Sequence, residues 1–399
     1  MPERAADRSE ARRDHTEQLA RPLTGPADSP AVPGPNPIAG FEDWPAAVRT
    51  ARPYRGSDAA GTALGSLLGL RRLRDRPSVV DEGSRTVDGL TIRKVRWSVG
   101  YGPDTTAWLL RPAGSHGRLP GVLGMHCHGG VRSVGAEQLV DLGADASPRA
   151  IWLRGTCYAG RAPANELARR GHVVLVHDTF SWGSRRFDLS RPTPRLAALV
   201  EAQDALWRQQ GVRPTEDERF DFVSRLHEDT VAKAAGTLGQ TFAGAVLTDD
   251  LTAFEVLAGE DGVDDARLGT FGFSGGGGRS LLLAALDPRV AAAVVSCMMA
   301  TFDSLVPAGL DAHSWLLHVP GLWSWSDWPD VTALGRARFL VQYRSGDELF
   351  SYDGMQQAHR HLVSLHATSR RYRGSFSDGG HAFDATMQQE AWDFLTETL

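Results

Sequence analysis

The alternation of apolar and polar positions along this chain changes period several times, and each change marks an element. The stretches LTIRKVRWSV (90–99), TTAWLLRP (105–112) and PGVLGMHCH (120–128) read as strands, the last almost continuously apolar as a buried central strand is. APANELARRG (162–171) is helical, HVVLVHD (172–178) is a buried strand, and 192–260 is mostly helical by period. Then come strand RLGTFGF (267–273), helix GGRSLLLAAL (277–286), strand VAAAVVSCM (290–298) and strand ARFLVQYRS (337–345). Helix YDGMQQAHRHLVSLH (352–366), strand SRRYRGSF (369–376) and helix DATMQQEAWDFLTETL (384–399) complete the pattern. Such alternation predicts an α/β fold: a mostly parallel central sheet, helices on both faces, antiparallel strands at its start.

Ahead of the first strand, ALGSLLGLRRL (63–73) has the period of a short amphipathic helix. Residues 1 to about 40 are rich in Arg, Ala, Pro and charge and poor in large apolar side chains, which predicts a disordered or loosely docked arm. An oligomerisation role for that arm, and with it a homo-oligomer, stays open.

Composition narrows the partners. The 43 Lys and Arg are set against 48 Asp and Glu, a formal charge of −5, with no basic footprint for nucleic acid. No apolar signal region follows the N-terminal charges, and no run approaches the roughly 18 apolar residues of a membrane span. Cys127, Cys157 and Cys297 are odd in number and show no CxxC spacing, so neither a disulfide framework nor a cysteine zinc site is expected. The expectation is a cytoplasmic protein acting on a small molecule, without membrane, metal or cofactor.

The chemistry concentrates in GFSGGGG. Gly272-Phe273-Ser274-Gly275-Gly276 satisfies G-x-S-x-G between a predicted strand and a predicted helix, the context in which a serine is held up as a nucleophile. A phosphate-binding loop ending in Arg279-Ser280 would need glycine at 273 and lysine at 279, and neither is present. A glycine-rich corner without chemistry is the rival reading, so the partners decide. An acid and a histidine should follow in that order from loops after later strands. Asp347 lies just past a strand end, and His381 lies in the last loop; Asp303 and Glu348 are the other carboxylates in range.

A second oxyanion donor is expected from MHCHGGV, where Gly129 and Gly130 would let backbone N–H groups approach the site, as Gly275 does after the serine. The alternative takes His126 and His128 as metal ligands on one strand face. Candidate pocket residues are His128, Phe273, Trp182 and Arg185 together with Trp315, Trp323 and Trp325, the last three in a Pro- and Gly-marked loop that also holds Trp328. Tryptophans there serve pocket or core equally well. Arg185 and Arg186 read as surface arginines or as a clamp for a substrate carboxylate.

With HCHGG, GFSGGG, SGDELF and GGHAF in order, the chain resembles the α/β-hydrolase superfamily, and within it the dienelactone-hydrolase-like and acetyl-xylan-esterase-like branch. HSWLLHVPGLWSWSDWPDV resembles a segment that bacterial members carry before the acid-bearing strand. The resemblance covers about residues 85–399, leaves 41–84 as a helical extension, and makes about 131–160 and 179–245 lid or pocket insertions. It implies a serine hydrolase that cleaves a carboxylic ester, thioester or lactone through an acyl-enzyme on Ser274. Dienelactone hydrolases themselves use cysteine, so that activity does not follow. An acyl-transferring or cyclising enzyme with the same triad, and a non-catalytic binding protein, remain the alternatives.

Overall fold

The computed structural model describes residues 34–72, 77–307 and 309–399. The packed chain begins at Asn36, and Ala39 is fully buried. The remainder of the expected arm, residues 1–33, lies outside the described residues.

Nine strands form one sheet: β1 (Val80–Val87), β2 (Leu90–Trp97), β3 (Thr105–Pro112), β4 (Leu119–Met125), β5 (Val173–His177), β6 (Val263–Phe273), β7 (Val290–Ser296), β8 (Arg338–Arg344) and β9 (Tyr372–Ser377). Their spatial order is β9-β8-β7-β6-β4-β5-β3-β2-β1. From β9 to β5 every pairing is parallel; β5–β3, β3–β2 and β2–β1 are antiparallel. The strand order turns back at β4, where a crevice opens beyond the carboxyl ends of the strands.

Alternating side chains divide the strands between two cores. Leu123, Met125 and Leu175 face one side, with α1 (Trp44–Thr50), α2 (Ala59–Leu67), α7 (Phe242–Ala258), α8 (Gly275–Leu286) and α9 (Tyr352–Leu365). Val122, Val174 and Val176 face the other, with α3 (Pro148–Cys157), α4 (Pro163–Arg169) and α10 (Ala385–Thr398). Two further helices, α5 (Pro194–Gln210) and α6 (Glu216–Thr237), lie between β5 and α7 in the chain. α6 starts at a capping box of Thr215 and Glu218 and turns Val223, His227, Val231 and Ala235 inward at four-residue spacing.

Three local expectations change. The helix expected over 63–73 instead spans Ala59–Leu67, because the Leu70 N–H returns to the Gly65 carbonyl and ends it. Arg71–Arg72 then pair with Arg52–Pro53 as a short antiparallel ladder. β1 was not expected from its polar sequence VDEGSRTV; it is an edge strand with an irregular register between Asp81 and Ser84, so few of its side chains needed to be apolar. β4 stops at Met125, opposite Gly272, so His126 and His128 follow the strand and do not share one of its faces.

Candidate active site

Ser274 leaves β6 with φ +55° and ψ −124°, a conformation L-residues seldom adopt, and is the N-cap residue of α8. Its N–H donates to the Ser296 carbonyl at 2.8 Å, and its carbonyl accepts the Gly278 N–H at 3.1 Å. A Cβ on Gly272 would overlap the Gly276 carbonyl, and one on Gly276 would overlap the Met125 carbonyl. Strand, turn and helix therefore meet with room for glycine alone. Gly277 is nearly as confined, with a Cβ position 3.1 Å from Met298 Cγ and from the Ser296 oxygen.

Asp347 follows β8, and its side chain is wholly buried. One oxygen accepts the N–H groups of Leu349 at 2.9 Å and Phe350 at 3.3 Å; the other lies 2.7 Å from His381 Nδ1. A carboxylate at Nδ1 keeps the imidazole proton there and leaves Nε2 to act as base. The imidazole is set between the rings of Phe273 and Phe350, with centroids at 4.7 and 6.1 Å. Glu348 meets the backbone N–H of His381 at 3.2 Å, and Asp303 is exposed in the single turn Phe302–Leu305. Of the three candidate carboxylates, Asp347 is the one on the ring.

Ser274 and His381 line a common cavity of about 370 Å³ at the carboxyl ends of the parallel strands. His128, Gly129, Gly130, Phe273 and Gly275 line it as well. Much of its wall is apolar: Trp328, one of the loop tryptophans weighed as pocket or core, and Met298, Leu316, Leu317 and Phe350, which were not anticipated. Both segments expected as insertions contribute to its lining, the first through Thr156 and Cys157, the second through Arg225. Cys127 Sγ donates to Gln138 Oε1 at 3.3 Å beside the cavity, and the neighbouring Cys157 thiol together with burial pushes Cys127 above the ordinary thiol range.

His128 stands at the centre of a polar cluster. A Cβ on Gly275 would be 3.2 Å from both N and Cβ of His128, so these two backbones abut. Gly129 and Gly130 have φ of +59° and +63°, which only glycine adopts readily. The Gly130 N–H turns back to His128 Nδ1 at 3.1 Å, while Nε2 lies 3.2 Å from Glu228 Oε2. Arg132, also buried, pairs with that same oxygen, and the other oxygen of Glu228 accepts the Trp315 N–H at 2.9 Å. Burial alone would raise Glu228, but Arg132 and His128 outweigh it and hold the carboxyl well below its usual range.

Several expected pocket residues lie elsewhere. Arg185 is fully buried, with Nε 2.6 Å from Asp249 Oδ2 and Nη1 on the carbonyls of Tyr101 and Pro103; it is neither a surface side chain nor a substrate clamp. Trp182 is buried behind the wall, under the Arg132 guanidinium at 3.9 Å. Trp315, Trp323 and Trp325 are largely exposed and do not line the cavity, whereas Trp328 of the same loop does. His126 is buried against Trp182 with Nδ1 on the Cys127 carbonyl, away from the Glu228 partner of His128. Among the described residues, no group of three His, Cys, Asp or Glu side chains could hold a metal ion. Nor is any described helix long and apolar enough to cross a membrane.

The buried ion pairs that support the site were not anticipated from the sequence. Asp249 and Asp250 lie in the mostly apolar helix α7; Asp249 is buried against Arg185, and Asp250 against Arg279 and His177. The signal was in GAVLTDDLTAFEVL: two acids inside an apolar helix require buried basic partners.

No family model matches the chain. It is 24% identical over 298 residues to "Putative hydrolase YtaP" of Bacillus subtilis (strain 168), covering 73% of this chain and 83% of that protein. Acetyl xylan esterase 1 from Thermoanaerobacterium sp. superposes with a TM-score of 0.53 at 15% identity, covering 88% of this chain and 97% of that one. A glucuronoyl esterase from Solibacter usitatus gives 0.55 at 13% identity, covering 94% and 100%. Together with the strand order and the serine turn, these similarities make the fold that of the α/β-hydrolases, as the sequence motifs imply.

Proposed function

From this α/β-hydrolase fold we propose that the protein is a serine hydrolase that cleaves a carboxylic ester of a small molecule. The observation that carries the reading is Ser274, held at φ +55° at the start of α8 in the same cavity as His381, whose Nδ1 is 2.7 Å from buried Asp347. His381 Nε2 takes the serine proton as Oγ attacks the ester carbonyl, and Asp347 stabilises the imidazolium that forms. The alcohol leaves with that proton, and water, activated by the same imidazole, cleaves the acyl-enzyme.

The negative oxygen of the tetrahedral intermediate needs two N–H donors. One is Gly275 at the start of α8, where the helix dipole favours negative charge. For the second, the abutting backbones favour the N–H of His128, one residue before the glycine pair indicated by sequence, since the Gly130 N–H is occupied by His128 Nδ1. The apolar wall of Phe273, Met298, Leu316, Leu317 and Trp328 suits a small acyl or alcohol group. Three free cysteines suit a reducing compartment such as the cytoplasm.

A panel of ester, thioester and lactone substrates, assayed with wild type and Ser274→Ala, tests the reading. Turnover by wild type that Ser274→Ala loses supports it, as does labelling of Ser274 by a fluorophosphonate; wild-type turnover in the Ala variant refutes it. Product analysis with an added alcohol acceptor separates hydrolysis from acyl transfer.

A further inference from the structure

A buried carboxylate is an unusual neighbour for a backbone donor loop, and Glu228 of α6 touches two segments that wall the cavity. It accepts from Arg132 and from His128 on the loop after β4, and from the backbone of Trp315 on the loop before β8. Glu228 and Arg132 are nearly inaccessible, and the partly buried His128 lines the cavity.

The hydrogen bonds around His128 fix its tautomer. The Gly130 N–H donates to Nδ1, so in the neutral ring Nδ1 carries the lone pair and Nε2 the proton. That Nε2–H donates to Glu228 Oε2 at 3.2 Å. The Arg132 nitrogen 3.3 Å from Nε2 is a second donor directed at the same carboxylate oxygen. The residue's carbonyl is held as well, by the Trp182 indole N–H at 3.4 Å and the Val131 N–H at 3.2 Å. His128 is thus anchored at ring and carbonyl, and the unanchored polar group between them is its own N–H, beside Gly275.

We propose that Glu228 is a positioning residue for the reaction: through the His128 ring it fixes the His128 backbone N–H where the oxyanion forms. This rests on the serine-hydrolase reading above. Arg132 keeps Glu228 ionised in a site where burial would otherwise favour the neutral acid, so His128 meets an acceptor with no proton of its own. A donor held in place before reaction gives its full stabilisation to the charge that develops; one that must be drawn into place does not.

The test is a double-mutant cycle of Glu228→Gln and His128→Ala, with kcat and KM measured on p-nitrophenyl acetate beside wild type and Ser274→Ala. Each single variant is expected to lose roughly 10- to 100-fold in kcat, with KM within about threefold, because the interaction is made in the transition state. The double variant is expected to lose no more than His128→Ala, since Glu228 acts through that ring. Effects that multiply, or a kcat unchanged in folded His128→Ala, overturn the proposal. His128→Ala leaves the Arg132–Glu228 pair intact, so it decides the matter even where Glu228→Gln folds poorly. If Ser274→Ala retains wild-type turnover, the serine reading itself fails; if it is inactive while the cycle is flat, only the role of Glu228 fails.

Discussion

Arg279, early in the helix that Ser274 begins, closes on Asp250 of α7 with Nε–Oδ2 at 2.9 Å and Nη2–Oδ1 at 2.5 Å, both side chains buried. Its remaining arm reaches the His126 carbonyl at 2.9 Å, so one guanidinium ties α8 to α7 and to the loop after β4. Such a pair contributes little over an apolar one, but removing Arg279 leaves the buried Asp250 charge with only the His177 imidazole, at 3.0 Å, as partner among the described residues. Arg279→Met is therefore expected to cost about 3–5 kcal/mol, and Arg279→Met combined with Asp250→Leu to recover a substantial part of it. Urea denaturation of both variants checks this; equal losses would show that the charge left behind is not what destabilises.

Asp347 is expected to matter for rate rather than for binding. Asp347→Asn preserves shape but presents an amide to His381 Nδ1, favouring the wrong tautomer, and kcat should fall by roughly 10³–10⁴-fold with little change in KM. Asp303→Asn, exposed and off the ring, should remain within about twofold of wild type on the same substrate. Steady-state kinetics of the two variants decides between the carboxylates.

The glycines of the turn should divide into two groups. Gly272→Ala and Gly276→Ala place a methyl onto fixed backbone carbonyls and are expected to lose more than about 3 kcal/mol or fail to fold. Gly278→Ala meets only Met298 Cε, at 3.2 Å, the end of a flexible side chain, and replaces glycine inside a helix. It is expected to be neutral or stabilising by up to about 1 kcal/mol. Thermal melts of the purified variants give the ranking.

Acid stability should report on His227. Burial first, and Arg132 second, hold its imidazole down to about 4, and neither ring nitrogen has a hydrogen-bond partner. Between the unfolded value near 6.5 and about 4, the unfolded chain takes up a proton that the folded one refuses. Stability from this group is full above about pH 6.5, falls as the pH drops, and levels off below about 4. His227→Phe, packed against Phe187 as the imidazole is, should lose less stability than wild type between pH 7 and 4, by on the order of 2 kcal/mol. Denaturation curves at several pH values measure the difference; parallel loss in the two proteins would mean that His227 titrates normally.

The readable parts of this protein were those in which one local rule sufficed. A buried parallel strand such as VVLVH, flanked by helices, announces itself through apolar continuity, and the serine turn through glycines whose absence of side chains is a steric requirement. β1 was illegible because an edge strand needs backbone partners and few apolar side chains. Arg185 was misjudged for a related reason. An arginine in a polar loop looks solvated until the helix that carries Asp249, more than sixty residues later in the chain, covers it. The glycines at 129 and 130 mark the loop beside the serine turn, but that the His128 backbone lies against Gly275 depends on where β4 stops, which the sequence did not show. Glu228 is harder still, since its contact with His128 exists only once α6 is laid over the His128 loop.

The outer helix α5 runs for seventeen residues with Leu196 as its one buried side chain, and it rests on α6 through the edge-on pair of Trp207 and Phe222. Its neighbour α6 does the inward work, with Glu228 against the loop after β4 and Arg225 at the cavity. Packing therefore divides the two helices: the inner one is tied to the cavity by its buried positions, and the outer one carries almost none of that constraint.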